Sequence, residues 1–355
     1  MSKVRRVKMH VKKSVLDHIE KCYAVTEMEY DGRKHLICAA EGKGPCNVYS
    51  LDGTYEETLW NGPGGVMTLL QYPDSTEPVL LATQKFYSPD DSSEAKIVYY
   101  YRKGHEWIYE TLCDLPHVHR FGMLEDESGR YLIAATLKSA CAFEGDWTCP
   151  GRVWVAKIPE SIFIFDREHQ LKMEPLLSGL YKNHGFYIHK DGKEQYAVIG
   201  TENGIYKVAP MIKEEKGWKC EKIMEGKVSD MLIRDFDQDG KQEILTISPF
   251  HGDHISVYKP ENERMVKVFE RKEAMPFAHA ICGGKVDGCD YAFLGGRSGT
   301  KKLISYHYDL EKRQYIEELL DEGAGAANCM TFRVDGKLKL FAANRETDEV
   351  AIYEW

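Results

Sequence analysis

Histidines recur at one position of a repeated pattern in this chain of 355 residues. His119, His184 and His279 each open an apolar segment, and each lies eight to ten residues before a turn glycine. Neutral imidazole is a common ligand of Zn²⁺, Mn²⁺, Fe²⁺ and Ni²⁺. Histidines that open equivalent segments would meet at one place if the segments pack side by side, and there they could bind a divalent metal ion.

Two further histidines, His251 and His254, follow the second apolar segment of another copy of the pattern. We predict His119, His184, His254 and His279 as metal ligands, and His251 as a catalytic base. An error of one residue in a strand would turn a side chain to the opposite face. The alternative for each residue is a surface or hydrogen-bonded histidine at a strand end.

Other polar residues occupy the same end of the pattern. Asp230 and Asn328 take the place of the histidine in two copies, and Arg120 directly follows His119. We predict Tyr187 as an alternative base. Arg120 and Lys85 are the remaining predicted catalytic residues.

An acidic turn forms a second candidate site. Asp235, Asp237, Asp239 and Glu243 provide oxygen ligands at positions 1, 3, 5 and 9 of a loop with Gly240 at position 6, a spacing that suits Ca²⁺. The bidentate glutamate of an EF-hand is missing. Because the other turns of the repeat lack these acids, we favour a structural turn braced by hydrogen bonds from side chain to backbone.

Two long loops carry mixed aromatic, acidic and basic side chains, a composition that suits a polyhydroxylated or acidic sugar. The residues are Lys85, Tyr87, Asp90, Asp91, Glu144, Asp146, Trp147 and Arg152. The longer loop is predicted as an insertion over residues 137–154.

The elements that must position these residues are short strands. Residues 229–258 read as strand, acidic turn, strand, polar loop and strand, and the pattern recurs seven times at a spacing of about 45 residues. A more polar strand separates successive copies. This predicts an all-β fold: one seven-bladed β-propeller domain over residues 1–355, with four-stranded antiparallel blades.

The last copy has only three strands. We therefore expect an N-terminal strand, residues 4–11, to complete it and close the ring. Residues 14–21 are predicted as a short helix.

The run DFDQDGKQEIL, residues 235–245, resembles the FG-GAP/VCBS repeat of β-propellers. In the other copies the likeness is reduced to an Asp-Gly or Ser-Gly turn. With its histidines, the predicted architecture is also similar to metal-dependent sugar dehydratases and lyases on propeller folds, such as aldos-2-ulose dehydratase and oligogalacturonate lyase. The resemblance implies a lyase that uses a divalent metal, although none of the catalytic residues of those enzymes aligns with a numbered position here.

Composition excludes several classes of function. A net charge of −9 without a basic stripe argues against nucleic acid as a partner, and no apolar run is long enough to span a membrane. The basic start of the chain leads into no apolar segment, so we expect no secretory leader. Ten scattered cysteines without a Cys-x-x-Cys motif predict reduced thiols in the cytoplasm. Phosphate-binding and nucleophile-elbow motifs are absent.

The sequence thus predicts a metal-dependent lyase that acts on a small carbohydrate, by β-elimination or dehydration of a keto-sugar, glycoside or uronate. The alternative from another class is a non-catalytic propeller that binds a glycan or protein through its rim loops. A hydrolase or isomerase at the same site is a third possibility. The identity of the metal and the oligomeric state stay open.

Overall fold

The computed structural model describes residues 11–355 except 74, 76, 192, 193, 212–216 and 263. These residues form seven four-stranded antiparallel sheets, the blades of a β-propeller, as predicted. The described part contains no α-helix, only one 3₁₀ turn at Ile162–Ile164. None of its helices is long and apolar enough to cross a membrane.

The strands follow the chain in blade order. The first strand is β1 (Lys12–His18). Blade 1 contains β2 (Cys22–Tyr30), β3 (Arg33–Ala40), β4 (Cys46–Ser50) and β5 (Tyr55–Trp60). Blade 2 contains β6 (Leu69–Gln71), β7 (Val79–Gln84), β8 (Lys96–Lys103) and β9 (Glu106–Asp114). Blade 3 contains β10 (Val118–Asp126), β11 (Gly129–Lys138), β12 (Pro150–Ile158) and β13 (Glu174–Leu180).

The remaining blades repeat this order. Blade 4 contains β14 (Gly185–Asp191), β15 (Glu194–Thr201), β16 (Gly204–Pro210) and β17 (Trp218–Met224). Blade 5 contains β18 (Asp230–Arg234), β19 (Glu243–Ser248), β20 (His254–Glu261) and β21 (Arg264–Glu270). Blade 6 contains β22 (Ala278–Val286), β23 (Cys289–Gly296), β24 (Leu303–Asp309) and β25 (Gln314–Asp321). Blade 7 contains β26 (Asn328–Val334), β27 (Lys337–Asn344) and β28 (Glu349–Glu354).

Burial explains why each blade starts with apolar strands and ends with a polar one. The second strand of a blade packs against neighbouring blades on both faces, so all six residues of β7 are buried. The fourth strand lies at the outer edge, and most of β21 is exposed. The sequence had marked these outer strands by their charged residues, and that prediction is confirmed.

The turns between first and second strands have the geometry that Asp-Gly favours. In three blades both residues have positive φ, as the type I′ hairpin requires. The pairs are Asp31 (φ 51°) and Gly32 (72°), Asp287 (48°) and Gly288 (84°), and Asp335 (50°) and Gly336 (79°).

An N-terminal strand closes blade 7, but it is not the predicted one. β1 pairs with β28, with Lys12 opposite Glu354 and His18 opposite Glu349. The predicted helix over residues 14–21 is therefore wrong, because most of that segment forms β1. Apart from Val11, the predicted closing strand (residues 4–11) lies outside the described residues.

Side chains fix β1 on both sides. Lys13 pairs with Glu349 at 2.5 Å within blade 7. Asp17 Oδ2 accepts hydrogen bonds from Asn47 Nδ2 at 2.8 Å and Tyr49 Oη at 2.7 Å, both in blade 1. The closing strand thus joins the last blade to the first.

Candidate metal centre

The inner strands of several blades begin with the same backbone irregularity. A shift in strand register leaves Tyr23, His119 and His279 as the extra residue of a β-bulge in blades 1, 3 and 6. Two positions earlier the backbone is left-handed at Lys21, His117 and Phe277, with φ of 53°, 64° and 52°. Lys182 (φ 46°) precedes His184 in the same way.

These irregular starts bring imidazoles of different blades together. The ring centroids of His184 and His279 are 5.1 Å apart, and His251 lies 5.1 Å from the first and 5.2 Å from the second. One potential ligand atom from each of the three lies within 4.8 Å of the others. We call His184, His251 and His279 the three-histidine group.

Main-chain carbonyls fix the tautomers of two members of the group. His184 Nδ1 donates to Ser229 O at 3.0 Å, and His279 Nδ1 donates to Ala327 O at 2.7 Å. Because a carbonyl only accepts, Nδ1 carries the proton in both rings and Nε2 keeps its lone pair. Histidines that bind metals usually donate their second ring nitrogen in this way.

The free nitrogens have few partners in the protein. His184 Nε2 is buried and forms no hydrogen bond with any described residue. His279 Nε2 accepts a long hydrogen bond, 3.3 Å, from the Tyr23 hydroxyl. Since a buried polar atom without a partner is costly, His184 Nε2 is the nitrogen that would gain most from a ligand.

Aromatic rings hold the third histidine. His251 stacks on Phe250 at 3.8 Å and on Phe277 at 4.6 Å between ring centroids. Its backbone is left-handed (φ 49°), and its N–H donates to Ser229 Oγ at 3.1 Å. Ser229 therefore contacts two of the three histidines, one through its carbonyl and one through its hydroxyl.

Burial keeps these imidazoles neutral. It is the main reason that the pKa of His184 is lowered to about 3 and that of His251 to about 2, with smaller contributions from Arg120 at His184 and from His184 and Arg297 at His251. The pKa of His279 is also lowered well below its usual range, chiefly by burial. The neutral ring is the form that binds a metal.

The other two predicted metal ligands lie outside the three-histidine group. His119 is buried beside His184, with ring centroids 4.6 Å apart, and its Nδ1 has no partner among the described residues. His254 is exposed at the start of β20 and contacts Asp253 at 2.6 Å. His251, predicted as a base, takes the place in the group that was expected for His254.

The remaining predicted catalytic residues have protein partners. Tyr187 accepts a hydrogen bond from Arg234 Nη1. Arg120 donates to Met67 O at 3.2 Å and to Asn328 Oδ1 at 3.3 Å. Lys85 forms a surface ion pair with Glu94 at 2.6 Å.

A polar cavity of about 300 Å³ lies between the inner strands of blades 3 to 7. Its lining includes Arg120, Asp230 and Asn328, which directly follow His119, Ser229 and Ala327 in the chain. Because Ser229 and Ala327 accept the hydrogen bonds of His184 and His279, the cavity lies next to the three-histidine group, and it is large enough for a small ligand. Its other lining residues include Tyr187, Arg234, Cys282 and Thr331.

Asp230 is the carboxyl group of this cavity. Burial raises its pKa to about 6, while Arg120 and the N–H of Met231, which donates to Oδ1 at 2.9 Å, act in the opposite direction. A carboxyl group that titrates close to neutrality can accept and return a proton at physiological pH.

The acidic turn has a lysine as its counter-ion. Lys259 Nζ contacts Asp237 Oδ2, lies 2.8 Å from Asp239 Oδ2 and lies 3.2 Å from Glu243 Oε1. Burial raises the pKa of Glu243 to about 7. Although the four predicted carboxylates are close enough to share a cation, the ammonium group already neutralises part of their charge.

Hydrogen bonds to the backbone brace the same turn. Gly240 N donates to Asp235 Oδ2 at 3.0 Å, Lys241 N to Asp239 Oδ1 at 3.0 Å, and Phe236 N to Glu243 Oε2 at 2.6 Å. These bonds agree with the structural turn that the sequence favoured. The Ca²⁺ site stays a prediction.

The two long loops contact each other through a buried lysine. Lys138 Nζ donates to Asp90 Oδ1 at 2.8 Å and to Asp146 O at 2.7 Å, and it lies 4.3 Å from the Trp147 ring. Trp147 also packs edge-on against Phe250. The second loop is shorter than predicted: Lys138 ends β11 and Pro150 begins β12, which leaves residues 139–149 between them.

Sequence reasoning missed several residues of this centre. Tyr23 was not predicted, because the bulge in β2 cannot be read from the sequence. Phe250 and Phe277 gave no signal beyond their proximity to His251 and His279. Asp230 was noted at a strand start but was not predicted as a site residue, and its equivalence to the three histidines was the signal that could have identified it.

Comparison with known proteins supports the fold alone. No protein-family model and no curated protein matches the sequence. Selenomethionine-substituted virginiamycin B lyase from Staphylococcus aureus is 13% identical with a TM-score of 0.59, and the match covers 97% of this chain and 99% of that one.

Two other solved structures are similar at 11% identity, with a TM-score of 0.60 each. One is BBS1N in complex with ARL6DN, where the match covers 97% of this chain and 95% of that one. The other is the Cps50 (Swd1) β-propeller domain of Myceliophteria thermophila, where the match covers 97% of this chain and 100% of that one. None of these matches supports the FG-GAP/VCBS or sugar-lyase resemblance; what the chain shares with these proteins is the seven-bladed β-propeller fold.

Proposed function

We propose that this propeller is a metal-dependent carbon–oxygen lyase that acts on a small carbohydrate, with a divalent cation held by His184, His251 and His279. The observation that carries the proposal is the arrangement of the three-histidine group. Its rings are neutral, two have their Nδ1 protons bound to backbone carbonyls, and His184 Nε2 is buried with no partner among the described residues. A histidine that binds a metal ion needs its tautomer and ring orientation fixed in this way, with the other ring nitrogen free.

The three imidazole nitrogens restrict which metal ions the site would bind. Three imidazoles suit Zn²⁺, Mn²⁺, Fe²⁺ or Ni²⁺ rather than Ca²⁺ or Mg²⁺, which prefer oxygen ligands. Bound there, such a cation would polarise a substrate carbonyl and so acidify the neighbouring C–H.

The residues of the adjacent cavity would perform the proton transfer. The Asp230 carboxylate, which accepts backbone hydrogen bonds from Met231 and Phe186, would take the α-proton. Arg120 and Asn328 would bind substrate oxygens from the same wall of the cavity. This assigns to Asp230 the role of base that the sequence analysis gave to His251 or Tyr187, because His251 belongs to the three-histidine group.

A carbohydrate is the substrate class that fits this lining. The walls combine a carboxyl group, two guanidinium groups, an amide and hydroxyl groups in a space of about 300 Å³. Such walls offer hydrogen-bonding partners on several sides of a ring that carries many hydroxyl groups.

Metal content tests the proposal first. Elemental analysis by mass spectrometry is made on the wild type, on the double variant His184→Ala, His279→Ala, and on His254→Ala as the matched control. We expect close to one transition-metal ion per chain in the wild type and in the control, and its loss from the double variant. Thermal unfolding and a conservative His279→Gln variant show whether a loss of metal reflects loss of the fold.

Activity is tested next on metal-loaded protein, with keto-sugars and uronates screened for the ultraviolet absorbance of a new conjugated double bond. Asp230→Asn should lose turnover while keeping its metal. A wild type that binds no transition metal would overturn the proposal and would favour the non-catalytic alternative, in which the rim loops bind a glycan or protein.

A further inference from the structure

Two cysteines of neighbouring blades meet in the wall of the central cavity. Cys282 lies on β22 and Cys329 on β26, and their sulfur atoms are 3.3 Å apart. The two residues are 47 positions apart in the sequence, so the contact comes from the stacking of blades 6 and 7. No part of the proposed lyase chemistry uses these thiols.

The two thiols differ in access. Cys282 is partly exposed and lines the cavity, whereas Cys329 is buried behind it, between two other lining residues, Asn328 and Met330. A second pair, Cys22 and Cys38, is also hydrogen-bonded, but both of its members are completely buried in blade 1. That pair provides an internal control for access.

Burial and a nearby cation shift the pKa of the accessible thiol, Cys282, in opposite directions. Burial raises the pKa of Cys282 well above its usual range, and the nearby Arg234 guanidinium acts in the opposite direction. Since the thiolate is the reactive form, the reaction of Cys282 should accelerate as pH rises.

We propose that Cys282 and Cys329 form an oxidisable dithiol, which hydrogen peroxide entering the cavity converts to a disulfide between blades 6 and 7. The Cys282 thiolate attacks one peroxide oxygen; the O–O bond breaks, Cys282 becomes a sulfenic acid, and the second oxygen leaves as water after taking up a proton. The Cys329 thiol then attacks the Cys282 sulfur, the S–O bond breaks, and a second water leaves. Two electrons pass from the two sulfurs to the peroxide.

The geometry requires only a small movement. An S–S bond is about 2.05 Å long, so the two sulfur atoms must approach by about 1.3 Å. Size also selects the oxidant, because a cavity of about 300 Å³ admits hydrogen peroxide but not a bulky peptide disulfide.

Peptide mapping tests this inference on wild-type protein treated with a chelator and then with hydrogen peroxide. We expect one new linkage between the peptides that contain Cys282 and Cys329, with the loss of two hydrogen atoms and full reversal by dithiothreitol. The Cys22 and Cys38 pair should stay reduced until the protein is denatured. Oxidised glutathione should produce the linkage far more slowly than peroxide does.

Two variants separate the roles of the sulfurs. Cys329→Ser should leave a sulfenic acid on Cys282 that dimedone traps, whereas Cys282→Ser should give no adduct at Cys329. The inference is overturned if wild-type Cys282 accumulates the dimedone adduct, or if the linkage appears only in denatured protein. Peptide mapping of the wild-type protein decides between these outcomes. The test of the disulfide is therefore independent of whether the three-histidine group binds a metal.

Discussion

His184 and His279 belong to different blades, yet each donates Nδ1–H to the main-chain carbonyl that precedes the next inner strand. The repeat therefore fixes more than the position of these rings. It fixes which nitrogen remains free, since the acceptor is the backbone and cannot change its role. A mutation that keeps the histidines can still disturb the centre through the residues that orient them.

Ser229 is such an orienting residue. Ser229→Ala removes the hydroxyl that accepts the hydrogen bond from His251 N and leaves the carbonyl bond to His184 intact. We expect metal affinity to fall by about tenfold, the lower end for loss of an outer-shell partner. Isothermal titration with Zn²⁺ or Mn²⁺ measures the change.

Ser92→Ala is the matched control, because the Ser92 hydroxyl contacts His117, a histidine outside the three-histidine group, at 2.8 Å. It should leave the affinity unchanged. Equal losses in both variants would mean that the serine hydroxyls act through general stability.

Glu318 is expected to make stability depend on pH. Burial raises the pKa of this carboxyl group, against the hydrogen bond from Ser305, so the folded state holds its proton at a pH where the unfolded state has released it. Stability is therefore lost as pH rises from the unfolded value of 4.5 through the folded value. His307, 3.8 Å away, has its own pKa lowered by burial and offers little opposing charge near neutrality.

Glu318→Gln should accordingly stabilise the protein at pH 7 by about 1 kcal/mol, the scale of a buried polar group relieved of its charge. The gain should vanish near pH 4, where the wild-type carboxyl is protonated. Urea unfolding at both values measures it, with the exposed Glu322→Gln as control. A gain of the same size at both values would contradict the electrostatic explanation.

At the scale of the strand and the turn, local sequence is a good guide wherever the turn itself dictates the backbone. Asp-Gly pairs identified the hairpins of blades 1, 6 and 7, because few other residues tolerate two consecutive positive φ angles. The segment after Lys12 shows where local sequence fails to predict the secondary structure. Val15, Leu16 and Ile19 have helical spacing, but pairing with β28 determines the structure, and the segment is extended.

β-bulges explain why the site was predicted only in part. His184 and His279 could be predicted because a histidine at a repeated position is visible in the sequence, whereas Tyr23, the extra residue of a β-bulge, gave no such signal. A bulge shifts side chains without leaving a mark in the composition of a strand. For a similar reason the sequence predicted His254 rather than His251 as a metal ligand. The left-handed backbone that places His251 beside the other two histidines arises within a loop and cannot be read from the sequence.

The acidic turn yields a prediction at this scale. Lys259→Met removes the ammonium that contacts Asp237, Asp239 and Glu243, and leaves these carboxylates to repel each other. We expect a lower Tm that millimolar Ca²⁺ raises again, with a stabilisation of about 2.7 kcal/mol if the ion reaches one hundred times its Kd.

Differential scanning calorimetry with and without Ca²⁺ makes this measurement. Lys241→Met, in the same turn but exposed, is the matched control and should show no response. If the Lys259→Met variant also ignores Ca²⁺, the turn is purely structural.

At the scale of the whole molecule, the ring depends on one strand. Asp17 receives hydrogen bonds from Asn47 and Tyr49, so this single carboxylate links β1 to blade 1 while β1 itself pairs within blade 7. Composition and repeat spacing predicted the number of blades and the kind of closure. They pointed to the wrong N-terminal segment, because residues 7–11 alternate apolar and polar residues whereas residues 12–18 do not.

Asp17→Ala should therefore destabilise the protein by about 1–3 kcal/mol, because it leaves the buried Tyr49 hydroxyl and the Asn47 amide without their acceptor. Asp309→Ala, which breaks a surface ion pair with Lys312, should cost much less. Chemical unfolding compares the two, and equal losses would show that Asp17 does not link the blades.

The position of β1 also has a consequence for synthesis. Lys12 pairs with Glu354, so the first described strand must wait for a partner that leaves the ribosome more than 330 residues later. Until then blade 7 is incomplete, and both β1 and the growing inner hairpins present open edges to other chains. We expect closure of the ring to be the slow step of folding, because contacts so distant in sequence form late. Nascent chains that stall within the last blade should be the ones that chaperones retain.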